Sequence, residues 1–223
     1  MNRRRFLHTS AALASVHTLL QAAGAEQARA GICSFSAHLH WQAARAGKPG
    51  VKFRDAAGFY AYGRELGADG VQTSLRELDP AALKALRERG ERDGSRQEGD
   101  VRPPKTAADL DVFEREVRLT REAGATVARA VLMGGRRYEV FKSMDEFRAF
   151  HEESRSRLAR AEPVLKKHQL KLAVENHKDL TLDEQLALLH GIGSEWIGAL
   201  VDTGNNIALL DDPYHTIERL APL

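Results

Sequence analysis

Short apolar segments alternate with amphipathic helical segments from residue 31 onward, and this alternation limits the fold more than any other feature of the sequence. The apolar segments are typical of buried parallel strands, as in the run TVARAVLM at 126–133. Six strand–helix units can be counted if residues 94–98 form the third strand, where charged residues replace the aliphatic ones that a buried strand favours. The pattern predicts an α/β fold with a parallel sheet covered by helices.

The boundaries of these elements follow from periodicity and from helix start and stop signals. An acidic cap at Asp79 followed by Pro80 predicts the start of one helix. Strands are predicted over 31–39, 70–75, 94–98, 126–133, 170–174 and 196–201, and helices over 56–66, 80–89, 106–123, 143–168, 182–190 and 213–220.

Two architectures accommodate this order. A closed (β/α)8 barrel needs eight units and about 250 residues, more than the segment 31–223 provides. An open doubly wound sheet fits six units, but no Gly-x-Gly-x-x-Gly turn follows the first strand.

Charge argues against a nucleic-acid-binding protein, and cysteine content excludes a fold held together by intrachain disulfides. Residues 1–30 hold four arginines and one glutamate, a surplus of three charges, so the net charge of +2 for the whole chain becomes −1 for the rest. A nearly neutral body argues against a nucleic-acid partner. Cys33 is the one cysteine in the sequence, so no intrachain disulfide can form.

The first thirty residues resemble a twin-arginine signal peptide. Arg3, Arg4 and Arg5 precede Phe6-Leu7, an Ala- and Leu-rich stretch follows, and residues 28–30 (ARA) offer a cleavage site. We therefore expect export by the Tat pathway, a periplasmic or extracellular location, and no membrane association after cleavage. The alternative is a basic N-terminal arm. Residues 31–223 are predicted to form the mature domain.

Two apolar strands each end in a carboxylate: residues 172–174 run into Glu175, and residues 200–201 run into Asp202. Ligands of parallel α/β proteins bind outside the carboxyl ends of the strands. Two carboxylates there repel each other unless a divalent metal ion lies between them, where it also acts as a Lewis acid. We predict that Glu175 and Asp202 bind such an ion. The alternative is that each caps a helix or pairs with a basic neighbour such as Lys178.

Three segments in sequence order resemble the xylose-isomerase-like TIM-barrel superfamily, in its sugar phosphate isomerase/epimerase branch. They are 134–139 (GGRRYE), 174–179 (VENHKD) and 201–206 (VDTGNN). The resemblance covers roughly residues 31–220, so it implies a (β/α)8 TIM barrel of which this sequence supplies about six β/α units.

The resemblance also implies a ligand set. In the family a single divalent ion, often Mn²⁺, is held by a Glu, an Asp, a His and a second Glu from four strands. Glu175 would be the first ligand and Asp202 the second, with Mg²⁺, Co²⁺ and Zn²⁺ as alternative ions. The His and the second Glu belong to a seventh and an eighth strand, so a C-terminally truncated barrel is expected. Many epimerases of the branch carry a substrate-contacting histidine where this sequence has Asn205.

Five more residues are candidates for substrate contacts, and each has a structural alternative. His177 is either a pocket residue or a solvent-facing loop histidine. His38 and His40, at the end of the first strand, form either a sugar-binding wall or part of the surface. Arg136 either grips an anion or pairs with an acid on a helix, and Lys178 either neutralises an enediolate oxygen or pairs with an acid.

The expected function is a metal-dependent isomerase or epimerase of a small sugar or polyol. Glu175 would remove a proton from the carbon next to a carbonyl, and the second glutamate would return it. A truncated chain could lack this activity. The alternatives are a non-catalytic sugar-binding or interaction protein with the same fold, and an endonuclease-IV-like phosphodiesterase. Exposed sheet edges would favour a homo-oligomer.

Overall fold

A computed structural model describes residues 29–223, and within them six parallel strands form one sheet in sequence order. The strands are β1 Gly31–Cys33, β2 Gly70–Thr73, β3 Arg96–Asp100, β4 Val127–Ala130, β5 Lys171–Glu175 and β6 Ile197–Leu200. Each pairs with the next, from Gly31 opposite Gly70 to Glu175 opposite Leu200. The prediction of six strand–helix units is confirmed, and the order is that of an incomplete (β/α)8 barrel.

Helices follow every strand. They are α1 His38–Arg45, α2 Ala56–Glu65, α3 Pro80–Asp93, α4 Leu110–Glu122, α5 Arg137–Val140, α6 Met144–His168, α7 Leu182–Ile192 and α8 Pro213–Leu220. Short 3₁₀ segments span Ser34–Ala37, Ala107–Asp109 and Asn205–Leu209. The predicted start of α3 is confirmed, because the side chain of Asp79 accepts a hydrogen bond from the Ala82 backbone N–H at 2.8 Å.

Strand side chains alternate between two faces of the sheet. Ala128, Ala130, Leu172 and Val174 lie in the buried core between the strands and the helices. The intervening positions form the inner face, which we define by Gln72, Glu98, Asp100, Arg129 and Glu175. Hydrogen bonds between neighbouring strands join Gln72 to Glu98, and Arg129 to both Asp100 and Glu175.

The first strand is much shorter than the predicted 31–39. β1 ends at Cys33, and a 3₁₀ turn followed by α1 takes up the remaining residues. Helical spacing brings Ala37 and Trp41 onto one face, where both pack against the buried cluster around Phe53. His38 and His40 therefore lie on a helix and do not extend a strand.

The predicted signal peptide lies outside the described residues, apart from Arg29 and Ala30. Between residues 29 and 223, no helix combines the length and the apolar character needed to cross a membrane.

Candidate active site

The carboxyl ends of β5 and β6 carry the two predicted carboxylates. Glu175 is the last residue of β5 and is 7% exposed, while Asp202 follows β6 by two residues. Asn176 fastens the two ends together. Its side-chain N–H donates to the Asp202 carbonyl at 2.9 Å, and its side-chain oxygen accepts from the Asp202 backbone N–H at 2.6 Å. This amide extends the strand pairing by one step, which fixes where Asp202 lies relative to Glu175.

Asn205 contacts both carboxylates. Its side-chain N–H donates to Glu175 Oε1 at 3.1 Å, and its backbone N–H donates to Asp202 Oδ1 at 3.2 Å. The Gly204 N–H also donates to Asp202 Oδ1, at 2.8 Å. One residue of the loop after β6 thus hydrogen-bonds to both acids, through its backbone to Asp202 and through its side chain to Glu175.

Arg129 is a site residue that the sequence reasoning missed. It lies on β4, and its Nε donates a hydrogen bond to Glu175 Oε2. Its Nη1 lies 3.4 Å from Asp100 Oδ1 on β3, so the guanidinium bridges two carboxylates on the inner face. An arginine within the apolar run 126–133 was the available signal, because a charged residue in a buried strand needs a partner.

Burial and charge act in opposite directions on this ion-pair network. Burial raises the pKa of the Asp100 carboxyl above its ordinary value, and the charge of Arg129 offsets part of that rise. Burial opposes the charge on Arg129, but the hydrogen bond and charge of Glu175 outweigh it and raise the pKa of the guanidinium. Arg129 therefore remains a cation at the inner face.

The turn after β5 orients His177 and Lys178. His177 Nδ1 lies 3.1 Å from the Met133 carbonyl, which can only accept, so in the neutral ring Nε2 carries the lone pair. Lys178 has a positive φ of 66°, a conformation that a non-glycine residue adopts at an energetic cost. The loop after β4 is tied to this turn, because the Arg137 N–H donates to the Lys178 carbonyl at 3.0 Å.

A narrow crevice without room for a free water molecule lies beside the two strand ends, and neither Glu175 nor Asp202 lines it. Lys178 and Asn205 line it together with Asn176 and Asp211, so two of the predicted substrate contacts share one concave surface. Neither the ammonium of Lys178 nor the oxygen Oδ2 of Asp202 has a hydrogen-bond partner among the described residues. Both can therefore meet a ligand without breaking an existing bond.

The other predicted contacts are occupied by structural partners. Arg136 pairs with Glu139 at 2.7 Å on the surface. His38 Nδ1 donates to the Phe35 carbonyl at 3.1 Å. His40 Nε2 accepts from the backbone N–H groups of Lys52 at 2.9 Å and Phe53 at 3.2 Å. In the part of the chain that the structure describes, no hydrogen bond links these three side chains to Glu175 or Asp202.

Glu175 and Asp202 provide hard carboxylate oxygens, which suit Mg²⁺ or Mn²⁺. Residues 29–223 contain no group of three or more His, Cys, Asp or Glu side chains placed to hold a metal ion. Mg²⁺ is commonly bound by one or two carboxylates and otherwise by water, so two ligands of this kind fit such an ion. The absence of His and Cys from the pair makes Zn²⁺ a poorer match.

The chain belongs to the xylose isomerase-like TIM barrel family, whose model matches residues 60–222. The match spans β2 to β6, so it includes the strands that carry Arg129, Glu175 and the residues leading to Asp202. No curated protein sequence matches the chain significantly.

Several solved structures share the fold. A D-psicose 3-epimerase, determined in the presence of D-fructose, is 15% identical with a TM-score of 0.67, covering 88% of this chain and 71% of its own. A xylose isomerase-like TIM barrel protein from Mycobacterium smegmatis, in complex with magnesium, is 17% identical with a TM-score of 0.61, covering 88% and 72%. The probable 3-DHS dehydratase AsbF from Bacillus anthracis is 13% identical with a TM-score of 0.64, covering 87% and 70%.

Proposed function

We propose that this protein is a divalent-metal-dependent isomerase or epimerase of a small sugar or polyol, which moves a proton at a carbon next to a carbonyl. The observation that carries the proposal is the connection of Glu175 and Asp202 through Asn205 at the carboxyl ends of β5 and β6. Acids at this end of a parallel sheet are in the position where barrel enzymes perform chemistry.

Glu175 and Asp202 would hold the ion. When bound, it would polarise the substrate carbonyl and lower the cost of charge on that oxygen. Mn²⁺ and Mg²⁺ are the ions we favour, because both ligands are carboxylates.

The protein side chains have separate roles in this proposal. Glu175 accepts the proton from carbon and returns a proton to carbon to complete the reaction, since it is the buried carboxylate at the strand end. Asn205 keeps Glu175 and Asp202 in fixed relative positions through its two hydrogen bonds. Lys178, unpaired at the crevice, meets a developing negative charge on the substrate oxygen.

The substrate class rests on the relatives. The D-psicose 3-epimerase relative was studied with D-fructose, a ketohexose. Near the strand ends, the ammonium of Lys178 and the free oxygen Oδ2 of Asp202 can hydrogen-bond to substrate hydroxyl groups. We therefore expect a small neutral polyol with one carbonyl as the substrate.

The proposal is tested by proton exchange with solvent. The protein is incubated with MnCl₂ and a panel of ketoses and aldoses in D₂O, and NMR follows deuterium incorporation next to the carbonyl. We expect exchange with the wild-type protein, a loss of about 10²-fold or more in Glu175→Gln because the proton acceptor is removed, and a similar loss in Asp202→Asn.

Glu122→Gln is the matched control for Glu175→Gln. Glu122 is an exposed carboxylate that pairs with Arg118 on α4, far along the chain from the strand ends. Its exchange rate should equal that of the wild-type protein. Exchange that persists unchanged in Glu175→Gln, or that no sugar in the panel supports, contradicts the proposed function.

A second candidate is a non-catalytic sugar-binding protein with the same fold. The observation that favours it is the ion pair between Arg129 and Glu175, which occupies an oxygen of the proposed base. The same NMR samples separate the two functions: sugar binding seen in the spectra without deuterium incorporation supports the second one.

A further inference from the structure

Both carboxylate oxygens of Glu175 are already bound within the chain. Oε1 accepts from Asn205 and Oε2 accepts from the guanidinium of Arg129. The Glu175 side chain is 8% exposed, so little water reaches it. An external cation that binds Glu175 must therefore compete with a cation that the protein itself supplies.

Arg129 has a second acid beside it. Its Nη1 lies 3.4 Å from Asp100 Oδ1, and the Asp100 side chain is 35% exposed. If Glu175 turned to another cation, the guanidinium would keep Asp100 as its partner and would not be left as an unpaired buried charge. The usual penalty for breaking a buried ion pair, an isolated charge, is thereby reduced.

We infer that Arg129 is a displaceable counter-ion, which holds Glu175 until a divalent metal ion takes it over and then pairs with Asp100. The inference rests on the proposed metal site at Glu175 and Asp202. It assigns to β4 a role in setting how tightly that site binds metal, in addition to the roles of the two ligands.

Charge determines the direction of the effect. A guanidinium next to the metal position repels a divalent cation and competes for its ligand, so it weakens binding. Removing the charge leaves Glu175 and Asp100 as two acids without their cation, which attracts a metal ion more strongly. The same change destabilises the metal-free protein, because Glu175 becomes a buried charge with no counter-ion.

The test compares Mn²⁺ affinity and thermal stability in Arg129→Met and Arg129→Gln with the wild-type protein. Isothermal titration calorimetry with MnCl₂ should show that both variants bind Mn²⁺ at least about tenfold more tightly than the wild-type protein does. In EDTA both variants should unfold at a lower temperature than the wild-type protein, and saturating Mn²⁺ should raise their Tm by more than it raises that of the wild-type protein. Arg129→Gln keeps a hydrogen-bond donor for Glu175, so it remains measurable if Arg129→Met does not fold.

Two further variants test whether the gain in Mn²⁺ affinity arises at Glu175. Arg118→Met removes an equal charge from an exposed pair with Glu122 and should leave Mn²⁺ affinity unchanged. The double variant Arg129→Met/Glu175→Gln should lose the gain in affinity, because the carboxylate that pairs with Arg129 has been removed.

The outcomes distinguish the inference from the proposed function. Wild-type binding of Mn²⁺ with equal or weaker binding in both Arg129 variants overturns the inference and leaves the proposed function intact. Mn²⁺ binding by the Arg129 variants but not by the wild-type protein supports the inference. No binding in any of these proteins overturns the metal site and the inference together.

Discussion

The carboxylate of Asp179 is buried in the turn that presents His177 and Lys178. Asp179 is 1% exposed, and its Oδ1 accepts from the backbone N–H groups of His177 at 3.2 Å and Leu180 at 3.0 Å. Its Oδ2 is buried without a hydrogen-bond partner among the described residues. Burial raises the pKa of the Asp179 carboxyl above its ordinary value, against the lowering effect of these backbone hydrogen bonds.

This burial makes stability depend on pH. Because the folded pKa is raised, the contribution of Asp179 to stability is fully present below the unfolded pKa of about 4 and is lost as the pH rises through the folded pKa. Asp179→Asn keeps an oxygen acceptor for both N–H groups and removes the charge. We expect its free energy of unfolding, relative to the wild-type protein, to increase from about pH 4 upward and to level off above the folded pKa.

Urea denaturation of the two proteins at a series of pH values from 4 to about 8 measures this difference. Taking the difference between the two proteins removes the contributions of titrating groups that do not interact with Asp179. A difference that stays constant with pH, or that falls as the pH rises, contradicts the assignment of a raised pKa to Asp179.

Among the elements, β3 departs furthest from the usual composition of a buried strand. Its core-facing positions are Gln97 and Gly99, and its inner-face positions are Glu98 and Asp100. A methyl group at Gly99 would lie 2.5 Å from Thr120 Cγ2 and 2.9 Å from Thr120 Oγ1 on α4. The glycine therefore allows α4 to pack closely against the strand that carries Asp100.

Gly99→Ala should destabilise the protein by roughly 1–3 kcal/mol, since the added methyl group overpacks the contact between β3 and α4. Gly134→Ala is the matched control, because a methyl group there meets no atom within 4 Å, and it should change stability by less than about 0.5 kcal/mol. Chemical denaturation of both variants gives the comparison. Equal stability of the two would show that Thr120 moves away at little cost.

For the whole molecule, we propose that residues 1–30 direct export through the Tat pathway. The proposal rests on the order of the arginines, the Ala- and Leu-rich stretch and the ARA segment in the sequence. It predicts that the protein folds and binds its metal ion in the cytoplasm and is then exported in the folded state.

Replacing Arg3 and Arg4 by lysine should abolish this export while leaving the domain folded, because the signal depends on the arginine pair and not on charge alone. Cell fractionation followed by N-terminal sequencing measures the location and the cleavage site. Export that continues in the double lysine variant, or a mature protein that still begins at residue 1, contradicts the proposal.

The sequence by itself predicted the number and the parallel direction of the strands, because apolar runs that alternate with helices favour a parallel sheet, while their order in the sheet was implied by the family resemblance. It also led to the prediction that Glu175 and Asp202 form a site, since a carboxylate that ends an apolar strand stands out locally. Helix starts such as Asp79 were readable for the same reason: the cap and the group that it binds are three residues apart.

Only the tertiary structure decided which side chains meet. Arg129 looked like an irregularity in an apolar run, and its partners Asp100 and Glu175 lie on other strands, 29 and 46 residues away in sequence. Asn205 stands in place of an expected histidine, and its contacts with both acids depend on the path of the loop after β6. Partners of this kind are fixed by strand register and loop geometry, which act between distant parts of the chain and leave no periodic signal in any local stretch.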